Sequence, residues 1–290
     1  MDIPVITGTT QLLGVIGDPV EHSLSPVMHN AAIAQLGANF VYLPLPVPTG
    51  KLAIAIAGFE AIGLKGFNIT IPHKQTIMPL LAGVSDIAQA VGAVNTVWWE
   101  ARGWQGTNTD VAGFIAPLQL FERSWSKTIA LVLGNGGAAR AVVAGCTQLG
   151  CTEVWVVGRR AEKLNAFAES WQRSPIQPPL TTFTWDKLPE LLPKAGLVVN
   201  TTPVGMHPKV DACPLMPDEM AMMQSGAIAY DLIYTPSPTQ FLQQAKDKGA
   251  IAIDGLEMLV QQGAAALSLW LDRPAPVAVM RQALKAQLNL

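Results

Sequence analysis

Lys74 closes the run Gly66-Phe67-Asn68-Ile69-Thr70-Ile71-Pro72-His73-Lys74, and the residues before it alternate with period two. Phe67, Ile69 and Ile71 face one way and Asn68 and Thr70 the other, so one side of a strand is polar, as a pocket wall would be. Lys74 then falls in the first turn of the helix expected to follow. The positive end of a helix dipole disfavours an ammonium there, which suits a group that hands over protons. A solvated lysine at a helix start is the plainer reading of the same residue. Ser23 and Ser25, in His22-Ser23-Leu24-Ser25-Pro26, precede a helical pattern of Val27, Ala31, Ala32 and Leu36. Ser25 suits an N-cap and Pro26 the first helical residue, while two hydroxyls at a helix N-terminus also suit a carboxylate. Gly92-Ala93-Val94-Asn95-Thr96 and Gly106-Thr107-Asn108-Thr109-Asp110 are polar clusters at strand ends. Such places bind ligands in α/β sheets, and the same residue types also make turns and caps.

A second chemistry lies further on. Leu131-Val132-Leu133-Gly134-Asn135-Gly136-Gly137-Ala138-Ala139-Arg140 sets a buried-type strand before Gly-x-Gly-x-x-Ala, and a helical segment follows over 141–149. Gly134 allows the tight turn, Gly136 lets the backbone approach a pyrophosphate, and the small Ala139 lets helix pack on strand. Asn135, Gly137 and Ala138 complete the loop, where free amides and the helix dipole would hold the anion. The next strand, 154–157, runs into Gly158-Arg159-Arg160, where an NAD site would carry Asp or Glu for the ribose 2′-hydroxyl. Arg159 and Arg160 suit a 2′-phosphate instead, which points to NADP. The alternative is that they only begin a solvated helix face with Glu162 and Lys163.

These groups need a scaffold, and short apolar runs alternating with helix-length segments indicate a parallel α/β architecture. In the first third, 12–16, 40–43, 66–70 and 93–98 read as strands, with helices over 26–36, 51–62 and 72–81. A second series starts at 129–133 and continues through 154–157, 197–200, 227–232 and 251–253. Gln177-Pro178-Pro179 reads as a loop within it. Segment 108–126 joins the series, with a helix expected after Asp110. Five strands after Ser126 suffice for a doubly wound nucleotide domain. The tail, 255–290, has helical spacing in Leu256, Leu259, Val260, Gly263, Ala264, Leu267 and Leu271, and periodicity does not choose which half it packs on.

Composition narrows the partners. The chain has 290 residues, net charge −2, 50% hydrophobic and 14% charged residues. Such a chain collapses rather than staying disordered, and it has no surplus of Lys and Arg for nucleic acid or an anionic membrane. A small-molecule partner is expected. Cys146, Cys151 and Cys213 form no CxxC pair, so neither a disulfide framework nor a metal site is expected and a reducing compartment fits. The start, Met1-Asp2-Ile3-Pro4, lacks the features of a secretory signal, which suits a cytoplasmic protein. The longest stretch without Lys, Arg, Asp or Glu, 22–50, is interrupted by His29, Asn30, Gln35, Asn39 and prolines and does not read as a membrane span. His73 reads as a helix-start residue, and Trp98 and Trp99 point to opposite faces of one strand, so at most one is core.

Taken together, the chain resembles the shikimate dehydrogenases over nearly its full length. HSLSP (22–26), NITIPHK (68–74), GAVNT (92–96), GTNTD (106–110), GNGGAAR (134–140), NTTPVGM (200–206), YDLIY (230–234) and DGLEMLVQQG (254–263) occur in the family's order and spacing. The resemblance implies an N-terminal α/β substrate domain, a Rossmann-type doubly wound NADP domain, and C-terminal helices returning to the substrate domain. It places the substrate domain at 1–110, completed by 255–290, and the NADP domain at 111–254. It implies NADPH-dependent, reversible reduction of 3-dehydroshikimate to shikimate, on the way to aromatic amino acids. Ser23 and Ser25 would hold the substrate carboxylate, and Asn68, Thr70, Asn95, Asp110 and Gln262 its ring hydroxyls. Lys74 would be the acid/base residue with Asp110 as its partner. Tyr234 and Gly255 would line the cleft near the nicotinamide, with Leu232 at the cofactor and 134–138 on the pyrophosphate.

The chemistry of the residues agrees with this. Hydride delivery to a ketone leaves an oxygen that must be protonated, which Lys74 can do and Asp110 can orient. An ionised Asp110 would favour the ammonium that the helix dipole disfavours. A triol carboxylate suits a pocket of Ser, Thr, Asn and Gln without metal ligands. Neither nucleic acid nor membrane is implied, and the chain would work as a monomer or homodimer. Two departures stand out. Asn135 occupies a position where the family often has Ala, and Gly158-Arg159-Arg160 replaces Asn-Arg-Thr or Asn-Arg-Ser, so Gly158 lacks a side chain that could contact the adenosine. Asp86, near a position sometimes linked to the cofactor, reads as capping or solvated. The rival readings are a quinate or quinate/shikimate dehydrogenase using NAD, a folate-linked methylene dehydrogenase, and a non-catalytic ligand sensor on the same fold. The Lys74/Asp110 pair argues against the last two.

Overall fold

In the computed structural model, which describes residues 6–290, the first apolar runs pair as parallel strands. The Met1-Asp2-Ile3-Pro4 start lies outside the described residues. Gln11–Gly17 (β1) lies between Phe40–Pro46 (β2) and Gly66–Ile69 (β3), with helices Ser25–Gln35 (α1) and Leu52–Ala61 (α2) as connections. After His73–Thr76 (α3), Gly83–Val84 (β4) and Asp86–Val91 (α4), the direction changes. Thr96–Glu100 (β5) runs antiparallel to β3, Gly103–Thr107 (β6) antiparallel to β5, and β4 parallel to β6. The sheet order is β2-β1-β3-β5-β6-β4. Two successive antiparallel pairings bring the end of β3, the start of β5 and the end of β6 to one edge. The end of β1 joins them, because β1 and β3 are parallel. Phe67, Ile69, Val97 and Trp104 fill the core on one face, under Leu52, Ile56 and Ile77.

Three local expectations change. The helix expected over 72–81 is two short pieces, α3 and a 3-10 turn at Met78–Leu80, because Pro79 has no N–H to continue an α-helix. Ser25 is not the N-cap of α1. Leu24 takes that position, and the Ser23 hydroxyl accepts from the Ser25 N–H at 3.3 Å. The strand expected over 93–98 begins at Thr96. His73 opens α3 as expected and is buried, its Nε2 bonded to the Val47 carbonyl at 2.7 Å.

Asp110–Leu118 (α5) leads to the second sheet. Ile129–Leu133 (β7), Glu153–Gly158 (β8), Leu180–Thr184 (β9), Leu197–Asn200 (β10), Ile228–Asp231 (β11) and Ile251–Ile253 (β12) are all parallel, in the order β12-β11-β10-β7-β8-β9. This is the doubly wound order, whose switch point lies between β7 and β10. Its inner strands are buried on both faces, which is why they read as unbroken apolar runs. Gly137–Leu149 (α6), Ala161–Glu169 (α7), Leu188–Leu191 (α8), Pro217–Ala221 (α9) and Gln240–Asp247 (α10) connect them. Helix α6 starts at Gly137, four residues earlier than the 141–149 segment read from the sequence.

Gly255–Leu271 (α11) and Val277–Leu288 (α12) end the chain. The described residues up to Gly113 group with Val260–Leu290, and Phe114–Leu259 form a second unit, so the divisions fall inside α5 and α11. The C-terminal helices therefore return to the first unit. Gly263 gives α11 room against Met28 of α1, and the Trp270 indole N–H donates to the Val97 carbonyl at 2.9 Å. Among the described residues no helix is long and apolar enough to cross a membrane.

Candidate active site

The shared edge of the first sheet collects Lys74 from α3, Asn95 from just before β5 and Asp110 from the start of α5. Lys74 Nζ lies 2.7 Å from Asp110 Oδ2, and Asn95 Nδ2 donates to Asp110 Oδ1 at 2.8 Å. Both oxygens of the carboxylate are thus held, one by a cation and one by an amide. The pair is not sealed off: 31% of the lysine side chain and 21% of the aspartate remain accessible. Asn95 is itself fixed, because its Oδ1 accepts from the Thr109 N–H at 2.8 Å and the Thr96 hydroxyl at 2.9 Å. Asn108 builds the turn, accepting from the Asp110 N–H at 3.0 Å and donating to the Ala93 carbonyl at 2.9 Å. The helix dipole invoked for Lys74 is that of a single turn, so the Asp110 carboxylate is the dominant charge facing the ammonium.

Behind this pair runs a buried relay. Asn68 Nδ2 donates to the Asn95 carbonyl and to Thr96 Oγ1, each at 3.0 Å, while its Oδ1 accepts from the Tyr42 hydroxyl at 2.7 Å. Asn68 therefore has both amide hydrogens committed inside the protein. Burial pushes the Tyr42 phenol well above its ordinary range, against the smaller lowering effect of the Ser25 hydroxyl beside it, so Tyr42 remains a donor. Asn30 on α1 clamps the Tyr42 backbone, its Oδ1 accepting from the N–H at 2.9 Å and its Nδ2 donating to the carbonyl at 2.8 Å. His29 stacks on the Tyr42 ring at 4.2 Å, and desolvation lowers its imidazole to about 3.

The relay links Asn68, Asn95, Asp110 and Lys74 of the residues singled out in the sequence, with the Ser25 hydroxyl beside Tyr42. Thr70, half-buried, follows β3 on the same edge, with Ser23 just before α1. Gln262 is half-buried on the part of α11 that belongs to the first unit. Tyr42, Thr96, Asn108 and Thr109 carry geometry that residue type alone did not single out. The only signal for Tyr42 was its place in an apolar strand pattern.

In the second unit the glycine loop follows β7 at the switch point. Gly134 sits at φ +104°, where an L side chain is strained, and a Cβ there would press on Thr201 and Thr202. Cβ atoms at Gly136 and Gly137 would instead meet nothing within 4 Å, which leaves open space over the loop. The N-cap of the 13-residue α6 is Gly136, with no side chain satisfying the first amides. These features fit a pyrophosphate. Arg159 and Arg160 are exposed just past β8, in no ion pair among the described residues, and fit a 2′-phosphate.

Past β11, Leu232 and Tyr234 are half-buried, and burial raises the Tyr234 phenol. Gly255 packs where a Cβ would overlap the Leu232 carbonyl, and its N–H donates to the Ile233 carbonyl at 3.1 Å. Asp86 is exposed in the first turn of α4, whose cap is Ser85. No cluster of metal-ligating side chains occurs among the described residues.

Comparison with known proteins gives a consistent picture. The family profile described as shikimate dehydrogenase substrate binding domain matches residues 15–97, and that of the shikimate 5′-dehydrogenase C-terminal domain matches 255–285. A shikimate dehydrogenase (NADP(+)) of Trichormus variabilis is 63% identical over 288 residues, covering 99% of this chain and 100% of its own. Shikimate 5-dehydrogenase of Listeria monocytogenes, solved with shikimate and NAD, is similar at a TM-score of 0.90 and 31% identity, over 96% of this chain and 98% of that one. The Thermus thermophilus enzyme, solved with NADP(H) and shikimate, has a TM-score of 0.83 and 36% identity, over 95% and 99% of the two chains.

Proposed function

This chain belongs to the shikimate dehydrogenase family, and on that premise we propose that it catalyses the reversible, NADPH-dependent reduction of 3-dehydroshikimate to shikimate in the route to chorismate and the aromatic amino acids. The observation that carries the reading is the Lys74–Asp110 pair at 2.7 Å, held on a polar strand-end edge by Asn95. NADPH, when bound, supplies the hydride. Lys74 Nζ gives a proton to the carbonyl oxygen in the reductive direction and takes it back in the oxidative one. Asp110 aims the ammonium, and Asn95 keeps the carboxylate from turning away.

Ser23 and Ser25 are assigned to the substrate carboxylate, and Thr70, Asn95, Asp110, Gln262 and Tyr234 to the rest of the substrate. Asn68 belongs with them as the residue that holds the Asn95 carbonyl and Thr96. Residues 134–138, Arg159, Arg160, Leu232 and Gly255 are assigned to NADP. Residues 1–110 with 255–290 form the substrate domain in this reading, and 111–254 the NADP domain. The cytoplasm is the proposed compartment, in line with an odd cysteine count and no CxxC pair. A monomer or homodimer is the proposed working state.

The test is absorbance at the reduced-nicotinamide band with shikimate and either NADP+ or NAD+, repeated with quinate. Fast reduction of NADP+ with shikimate alone is expected. Equal or faster turnover with quinate or NAD+ would move the chain to the broader quinate branch, and a folded protein inactive with every pair would make it a sensor.

A further inference from the structure

A doubly wound domain distinguishes the two nicotinamide cofactors at the end of the strand after the glycine loop, where one residue meets the ribose 2′ position. Here that strand, β8, ends in Gly158, which is buried. A side chain there would crowd two neighbours. A Cβ would stand 2.9 Å from Leu164 Cδ2, 3.1 Å from Asn135 Oδ1 and 3.2 Å from Asn135 Cγ. Leu164 is a buried residue of α7, and its methyl, the end of a flexible side chain, would have to shift slightly. The other neighbour is the carboxamide of Asn135, which reaches from the glycine loop to the end of β8 with Oδ1 toward Gly158 and, held by no partner among the described residues, can turn to present its NH2 there instead. Asn135 is half-buried, and its side chain makes no hydrogen bond among the described residues. An unspent amide, with two donor hydrogens and one acceptor, therefore lies where the fold reads the ribose.

We propose that Asn135 is a specificity-determining residue for NADP, its amide donating to the 2′-phosphate from the place that a side chain at position 158 would fill. The inference rests on the NADP reading above and adds to it the group that reads the phosphate beside the arginines. A phosphate presents only acceptors, so a neutral donor of set position complements the charge of Arg159 and Arg160. It also makes Asn135 and Gly158 a reciprocal pair: the amide can sit at the loop or at the strand end, but the space holds one. A merely space-filling Asn135 would affect all ligands alike.

The experiment is calorimetric titration of the substrate-free protein with NADP+, NAD+ and 2′,5′-ADP, for wild type and Asn135→Ala. NADP+ and 2′,5′-ADP should bind about ten-fold more weakly to the variant, the loss expected for a hydrogen bond to a charged group, with NAD+ hardly changed. Equal losses for NADP+ and NAD+, or unaltered binding of 2′,5′-ADP, would overturn the proposal. Asn135→Ala combined with Gly158→Asn should recover NADP+ affinity lost in Asn135→Ala, since the amide returns at the strand end; a folded double variant without recovery counts against the pairing. Wild type binding NAD+ as tightly as NADP+ would sink the NADP reading itself, a separate result visible before any variant is made.

Discussion

The Asn95 carboxamide sets what Asp110 can do. The Thr109 N–H can only donate, so the Asn95 oxygen must face it at 2.8 Å and the Asn95 NH2 must face Asp110. Asp110 then meets a donor on each oxygen and has no free rotation, which leaves Lys74 in one direction relative to the strand-end edge. Removing the lysine removes the proton donor but none of the hydroxyls and amides assigned to shikimate. Lys74→Ala should therefore lower kcat by roughly 10² to 10⁴-fold, the range for a lost general acid–base group. Shikimate affinity, followed by a binding titration, should change little by comparison. An active variant, or a defect confined to KM, would take the proton-transfer role away from Lys74.

Strand ends act as anchors in the second unit as well. Asp231, the last residue of β11, accepts from Asn200 of β10 at 3.1 Å, from the Ile233 N–H at 3.1 Å, and from Thr239, the N-cap of α10, at 2.7 Å. It thereby closes the loop that carries Leu232 and Tyr234. Burial pushes its carboxyl up to about 6 from 3.8, although the bonds from Thr239, Ile233 and Asn200 pull it down. The folded chain thus holds this proton more tightly than the unfolded one. The associated stability is fully present below pH 3.8 and is lost as pH rises through about 6. Asp231→Asn keeps the shape without the charge. Between about pH 7.5 and about pH 4.5 the wild type should gain about 2 kcal/mol on the variant in urea unfolding. Parallel pH curves would show that the carboxyl is not held this way. Elements of this kind differed in how well they could be read beforehand. Ile129–Leu133, Leu197–Asn200 and Ile251–Ile253 coincide with the runs read as strands, because two are buried almost throughout and, Asn200 apart, all are apolar. Strand β9, with Thr181, Thr182 and Thr184 at a sheet edge, and β6, with two glycines, offer no such run. The same limit applies to the site. Lys74 and Asp110 stand out because their types carry chemistry, whereas Tyr42, Thr96 and Thr109 acquire their parts only when β2, β5 and the turn after β6 are paired.

For the molecule as a whole, two sheets divide the chemistry. Phe67, Ile69 and Val97 support the edge with Lys74, and Leu131, Val157 and Val198 support the glycine loop. A net charge of −2 gives no general attraction for anionic ligands, so each must be met by local groups. Hydrogen exchange can therefore separate the two ligands by position. The amides at the start of α6 have no partner in the helix and no side-chain cap, so they should exchange fast in the free protein. NADP+ alone should slow residues 136–139 by about ten-fold or more, because a bound pyrophosphate accepts from those N–H groups. The Thr70 and His73 amides are already bonded, to the Ile16 and Thr70 carbonyls at 2.9 and 3.0 Å, so any protection there must come from quieter opening. Shikimate alone should give that weaker protection at 70–74 and at 23–25, leaving 136–139 unchanged. If NADP+ left the α6 amides exchanging as before, the dinucleotide would be bound elsewhere and the assignment of the second unit would fall. If shikimate protected the glycine loop and not the strand-end edge, the assignment of the first would fall.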